Sequence, residues 1–132
     1  MPRPGWLTLL LGDKGERVAV RFLKKQGYRI VARKSRSRIG EIDIVAVDGE
    51  CIVFVEVKTR SSHAAGQPVE AVTAAKQHQL TRAALAWLKR RKLLEHRARF
   101  DVIAITWSEE RDPEIQHYRN AFEPTGRGQM FS

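Results

Sequence analysis

Gly40-Glu41-Ile42-Asp43-Ile44-Val45-Ala46-Val47-Asp48-Gly49-Glu50-Cys51-Ile52-Val53-Phe54-Val55-Glu56-Val57-Lys58 carries two apolar runs on either side of Asp48-Gly49. Ile42, Ile44 and Ala46 alternate with Glu41, Asp43 and Val45, the period-two pattern of a strand. Asp48-Gly49 is a strong hairpin signal, because both residue types tolerate positive φ. The stretch predicts antiparallel strands over residues 40–47 and 51–58. A two-residue Asp48-Gly49 turn faces Val47 with Glu50, Asp43 with Phe54 and Glu41 with Glu56. A symmetrical four-residue loop gives the same register. Asp43, Glu56 and Lys58 then share one face, with Asp43 and Glu56 diagonal neighbours at ~7–8 Å between backbones. A three-residue loop would send Asp43 to the opposite face and remove the pair.

N-terminal to the hairpin, Ala19, Phe22 and Leu23 recur at helical spacing within residues 13–26, and Gly27 follows as a stop. Residues 28–33 read as a short first strand. After Lys58, residues 61–67 are a polar loop, and Pro68 opens an Ala-rich helix to about Leu93 with Val72, Leu80, Ala83, Trp87 and Leu88 on one side. Residues 100–107 form a nearly continuous apolar run, expected of a strand covered on both faces. Residues 115–122 add a candidate edge strand. The order α-β-β-β-α-β predicts an α/β protein: a mixed central sheet flanked by helices, with a right-handed helical crossover from the third strand to the fourth. Residues 12–123 are expected to form a single domain, with 1–11 an N-terminal extension and 124–132 a loose tail.

Two carboxylates on adjacent strands, with no neutralising residue between them in sequence, repel each other unless a cation joins them. Mg²⁺, or Mn²⁺ in its place, suits an oxygen-only donor set of one or two carboxylates plus water. Asp43 and Glu56 are the candidate ligands, with the main-chain carbonyl of Val57 as a third donor. Lys58 would orient or deprotonate a water, or offset charge developing on a phosphate oxygen. With 10 Glu and 8 Lys in 132 residues, a Glu-x-Lys triplet is expected by chance, and a cross-strand ion pair explains it equally well. Asp43 carries more weight, because Asp is disfavoured inside strands.

The 132 residues hold 24 Lys and Arg against 15 Asp and Glu, a formal net charge of +9. With 42% apolar residues the chain is no disordered basic tail. Residues 1–107 carry 21 basic and 10 acidic side chains, whereas 108–123 carry 2 and 5, so a phosphate-bearing partner would dock on the larger part. Arg36 and Arg38, in the turn entering the second strand, and Arg60, at the end of the third, are placed beside the carboxylates as phosphate contacts. Lys89, Arg90, Arg91, Lys92, Arg97 and Arg99 form a second cluster, whose plainest reading is a solvated face. Cys51, the single cysteine, reads as a small thiol inside an apolar run and fits a reducing cytoplasm. The apolar residues 6–11 are too few for a secretory core or a membrane span, so no export signal and no membrane partner are expected. The four histidines show no zinc spacing with Cys51.

Gly40-Glu41-Ile42-Asp43-Ile44-Val45-Ala46 followed by Val53-Phe54-Val55-Glu56-Val57-Lys58-Thr59-Arg60 resembles the core of the PD-(D/E)xK nucleases. From about Gly12 to Phe122 the chain is similar to the bacterial YraN-like family, related to archaeal Holliday-junction resolvases. Gly15-Glu16, Gly66, Lys76, Phe100-Asp101-Val102 and Asn120-Ala121-Phe122 belong to that likeness. The resemblance implies a restriction-endonuclease-like fold and metal-dependent phosphodiester hydrolysis, with Asp43 and Glu56 as metal ligands and Lys58 as the catalytic lysine. The proline that precedes the motif aspartate in the superfamily is replaced by Ile42. Resolvase-like members add a helix-one glutamate, which falls on Glu16; Asp13-x-x-Glu16 equally resembles a capping box. Glu41 is a further candidate for the metal or phosphate side. Lys76 would reach a phosphate or snorkel, and Asp101 would pair with a nearby arginine. The resemblance also suggests a dimer.

These readings converge on a metal-dependent endonuclease-like protein acting on DNA in preference to RNA, at branched or repair intermediates. The alternative is a nucleic-acid-binding or assembly protein with the same fold and little or no catalysis.

Overall fold

The structure, a computed structural model, describes the backbone of residues 5–61 and 72–125. Its elements are α1 (Gly5–Lys25), β1 (Arg29–Arg36), β2 (Glu41–Asp48), β3 (Cys51–Ser61), α2 (Ala74–Arg90), β4 (Ala98–Trp107) and β5 (Glu114–Phe122). The five strands form one sheet in the order β1-β2-β3-β4-β5. β3 and β4 run parallel, joined through α2, and every other neighbouring pair is antiparallel. The mixed α/β architecture and the order of elements are those the sequence predicts, edge strand included.

Two apolar clusters cover the sheet. On one face Ala19, Val20 and Leu23 of α1 meet Ile44, Ala46, Val53, Val55, Ile103 and Ile105. On the other, Leu80, Ala83, Ala84, Trp87 and Leu88 of α2 meet Val45, Phe54, Phe100 and Val102. β3 and β4 contribute to both clusters, which is why they read as almost unbroken apolar runs.

Three expectations need correction. α1 begins at Gly5, not near Asp13, so residues 5–11 of the expected extension are helical. Asp13 and Glu16 therefore lie inside the helix and form no capping box; their carboxylates reach Lys34 and Arg33 on β1. α2 begins at Ala74, where Thr73 caps it by accepting a hydrogen bond from the Lys76 N–H at 3.1 Å. Pro68 and most of the 61–67 loop lie outside the described residues, as does the tail beyond residue 125.

The hairpin register is the third correction. Asp48 pairs with Cys51 and Ile44 with Val55, so Gly49 and Glu50, not Asp48 and Gly49, are the turn. Gly49 takes φ +62 at the first of the two central positions, while Glu50 keeps negative φ. A turn that needs positive φ only there favours glycine at that place over an Asp-Gly pair in which the aspartate would also be strained. The register moves by two residues, an even number, so Asp43 and Glu56 stay on one face.

Candidate metal centre

The β2–β3 ladder ends at Ile44–Val55. Continued by one residue, its register sets Asp43 across from Glu56, directly and not diagonally. Where the ladder opens, the Asp43 side chain replaces it: Val57 N–H donates to Asp43 Oδ2 at 2.8 Å. This bond holds the Asp43 carboxylate against β3. Glu56 lies on the α2 side of the sheet, in step with Phe54, and Lys76 Nζ from the first turn of α2 stands 3.6 Å from Glu56 Oε2.

Glu56 is only 6% exposed, and Oε2 is buried without a hydrogen-bond partner. An orphaned carboxylate oxygen in such a place costs free energy unless a cation reaches it. Lys76 offsets part of the charge from beyond hydrogen-bond range. Burial, and then the neighbouring Glu56 carboxylate, push the Asp43 carboxyl up to about 8. A half-buried carboxylate beside a buried one that holds a bare oxygen fits a hard divalent cation, and Mg²⁺ needs no more than one or two protein carboxylates beside substrate phosphates. Among the described residues no group of three or more His, Cys, Asp or Glu side chains is placed to hold a metal, so a cation here would have this pair alone as side-chain donors.

The remaining candidates are distributed as follows. Lys58 follows Glu56 by two residues on β3, on the same face, and makes no ion pair with a described residue. Glu16 is buried on α1, and its Oε1 accepts from Arg33 Nε at 2.9 Å; Arg33 pairs across β1–β2 with Ile44, the residue after Asp43. Glu41 is bound to Arg36 at 3.0 Å in an exposed pair. Arg38 is exposed in the β1–β2 turn, and Arg60 Nε donates to Thr106 Oγ1 at 3.3 Å. β2 starts and β3 finishes at this end of the sheet, so Arg36, Arg38 and Arg60 belong to the same pole as the carboxylates. A cleft of about 820 Å³, lined by Arg29, Trp87, Leu93 and Arg97 among others, opens at the opposite, hairpin pole and includes neither carboxylate.

With this geometry in view, known proteins give a consistent answer. The family model described as "Uncharacterised protein family UPF0102" matches residues 15–105. The chain belongs to the UPF0102 family. A UPF0102 protein of Trichlorobacter lovleyi is 52% identical over 124 residues, covering 93% of this chain and 98% of that one. A relative in Geobacter metallireducens is 55% identical over 113 residues, covering 86% and 92%, and one in Rhodococcus opacus 45% identical over 115 residues, covering 87% and 98%. The UPF0102 match runs from the middle of α1 through most of β4 and so includes Glu16, Asp43, Glu56, Lys58 and Lys76. No helix among the described residues of this UPF0102 chain is long and apolar enough to cross a membrane.

The expected pairing of Asp101 with an arginine is present, within a larger polar assembly. Asp101, fully buried, accepts from Arg99 Nε and the Asn120 N–H, each at 2.9 Å, and lies 2.8 Å from His117 Nε2. Arg99 was foreseeable as a neighbour two residues away; His117 and Asn120 were not. Asn120 arrives through an irregularity between Phe100 and Val102 in the β4–β5 ladder, where it takes φ +50, whereas His117 pairs with Ile103 in the regular stretch beside it. Arg99 and Arg119 also hold Asp48 and the Tyr28 hydroxyl. This network ties the hairpin pole together, away from Asp43 and Glu56.

Proposed function

We propose that this protein is a metal-dependent nuclease with a restriction-endonuclease-like fold, hydrolysing phosphodiester bonds of DNA in preference to RNA. The orphaned, buried Glu56 Oε2 beside the raised Asp43 carboxyl carries the reading. Asp43 and Glu56 would hold Mg²⁺ or Mn²⁺, with the Val57 carbonyl as a backbone donor and Glu16 and Glu41 as outer candidates. When bound, such an ion supplies Lewis-acid stabilisation of charge on the scissile phosphate.

The protein's own groups do the rest. The Val57 N–H fixes the Asp43 carboxylate, so its orientation costs nothing at the moment of reaction. Lys58, on the Glu56 face, takes a proton from the attacking water or donates to the phosphate oxygen. Arg36, Arg38 and Arg60 hold neighbouring phosphates at the same sheet pole. Lys76 balances Glu56 before substrate arrives and is free to turn to a phosphate afterwards.

Incubating the protein with linear, flap and four-way-junction DNA and with RNA, in Mg²⁺, Mn²⁺ or EDTA, tests this reading. Metal-dependent cleavage abolished by Asp43→Asn and by Lys58→Ala supports it. Salt-sensitive binding without cleavage of any substrate would favour the binding-protein alternative.

A further inference from the structure

α2 begins at the carboxylate pair, but its basic residues continue well beyond it. Lys76, Arg82, Lys89 and Arg90 lie on α2, Arg91 and Lys92 follow, and residues 74–92 contain no acidic side chain. α2 buries Leu80, Ala83, Ala84, Trp87 and Leu88 against the sheet. At 3.6 residues per turn His78, Arg82 and Lys89 share the opposite, outward side, and they are exposed, as is Arg90.

The Arg38 turn joins the same surface. Gln79 Nε2 donates to Ile39 O at 2.9 Å, locking that turn onto α2. Gly40 permits the approach, since a Cβ there would lie 2.2 Å from Gln79 Nε2. At 1.5 Å rise per residue, Lys76 and Lys89 are separated by about 20 Å. That is about six nucleotide steps at 3.4 Å along one strand.

We propose that the outward face of α2 is a second nucleic-acid surface, on which Arg82 holds a backbone phosphate about three base pairs, and Lys89 and Arg90 hold phosphates about six base pairs, from the Asp43–Glu56 pair. The inference rests on the nuclease reading for where the duplex starts, but not on hydrolysis. Basic residues at a helix C-terminus also complement its dipole, and Lys24 and Lys25 end α1 in the same way on the opposite face of the sheet. Those two residues serve as the control for dipole and net charge.

Anisotropy of a labelled duplex of about 30 base pairs, titrated in EDTA over a range of salt, compares wild type with Lys89→Ala/Arg90→Ala and Lys24→Ala/Lys25→Ala. Two lost phosphate contacts make the log K against log salt slope shallower by about 1.8 in the α2 variant, and the α1 variant keeps the wild-type slope. Equal slopes in wild type and α2 variant, or the same change in both variants, would overturn the proposal. So would an α2 variant that loses association only with phosphatidylserine-containing vesicles. Cleavage in Mg²⁺ on the same preparations separates the two readings. A slope change without cleavage leaves the surface standing and removes hydrolysis, whereas cleavage with no slope change does the reverse.

Discussion

Lys76 Nζ lies 3.6 Å from Glu56 Oε2, a buried oxygen with no hydrogen-bond partner among the described residues. The contact joins the first turn of α2 to the middle of β3. It makes α2 both a core element, through Leu80, Trp87 and Leu88, and the carrier of the cation nearest the carboxylates. Lys76 stands where a divalent ion would otherwise reduce the repulsion between Asp43 and Glu56.

Replacing Lys76 by Met keeps its aliphatic stem and removes that charge. The metal-free variant should lose about 1–2 kcal/mol, less than the 3–5 kcal/mol of a broken fully buried pair, because Lys76 is one-third exposed. Thermal melting in EDTA should show a fall of about 4–8 °C. Adding Mg²⁺ should recover much of it, and an unchanged melting temperature in EDTA would mean that the 3.6 Å contact does not stabilise the fold.

Asp43 gives stability a pH dependence of definite sign. Its carboxyl is raised from 3.8 to about 8 in the folded chain, so between those values the folded state keeps a proton that the unfolded chain has lost. Stability therefore falls as pH rises through this window, and the loss is complete above about pH 8. Asp43→Asn removes the charge and keeps an oxygen for the Val57 N–H. In EDTA at pH 9 it should melt at least 4 °C above wild type, on the order of 1 kcal/mol, and the two should converge near pH 4.

Asp101 behaves in the opposite way. Burial alone would raise its carboxyl, but hydrogen bonds from His117, Arg99 and the Asn120 N–H hold it below 3.8. Its stabilising effect is present above that value and is lost as pH falls through the lower, folded-state value. Asp101→Ala removes the buried carboxylate that Arg99, His117 and the Asn120 N–H share and releases the β5 bulge, so a cost of at least ~3 kcal/mol is expected. Chemical denaturation would measure it, and a cost below 1 kcal/mol would show that the network is dispensable.

Gly15 poses a contest between two magnitudes. In a helix interior Ala is favoured over Gly by ~1 kcal/mol. A Cβ at Gly15, however, would come 2.5 Å from Thr59 Cγ2 on β3. Gly15→Ala alone should therefore be neutral or destabilising, whereas combining it with Thr59→Ser, which deletes that methyl, should melt above Thr59→Ser alone. A double variant less stable than Thr59→Ser would place the conflict elsewhere.

The hairpin shows why part of this was legible in the sequence. Side-chain parity survives an even shift of register, so the shared face of Asp43 and Glu56 followed from alternation even though Gly49-Glu50, not Asp48-Gly49, is the turn. The order of elements followed from hydropathy periods for the same reason. Helix starts did not. Asp13-x-x-Glu16 has the composition of a cap but sits inside α1, because its charges are satisfied from β1. Thr73, a single hydroxyl, caps α2 where Pro68 had offered the stronger local signal. Contacts that depend on how elements are placed, Lys76 with Glu56 and Asp101 with His117, have no trace in local sequence.

The central claim is that Asp43 and Glu56 form a divalent-metal site. Mn²⁺ binding followed by electron paramagnetic resonance, on wild type and on Glu56→Gln with circular dichroism to verify folding, tests it most directly. Saturable binding to wild type, weakened at least tenfold in folded Glu56→Gln, is the predicted result. Equal binding to both proteins, or none to wild type at millimolar Mn²⁺, would contradict it.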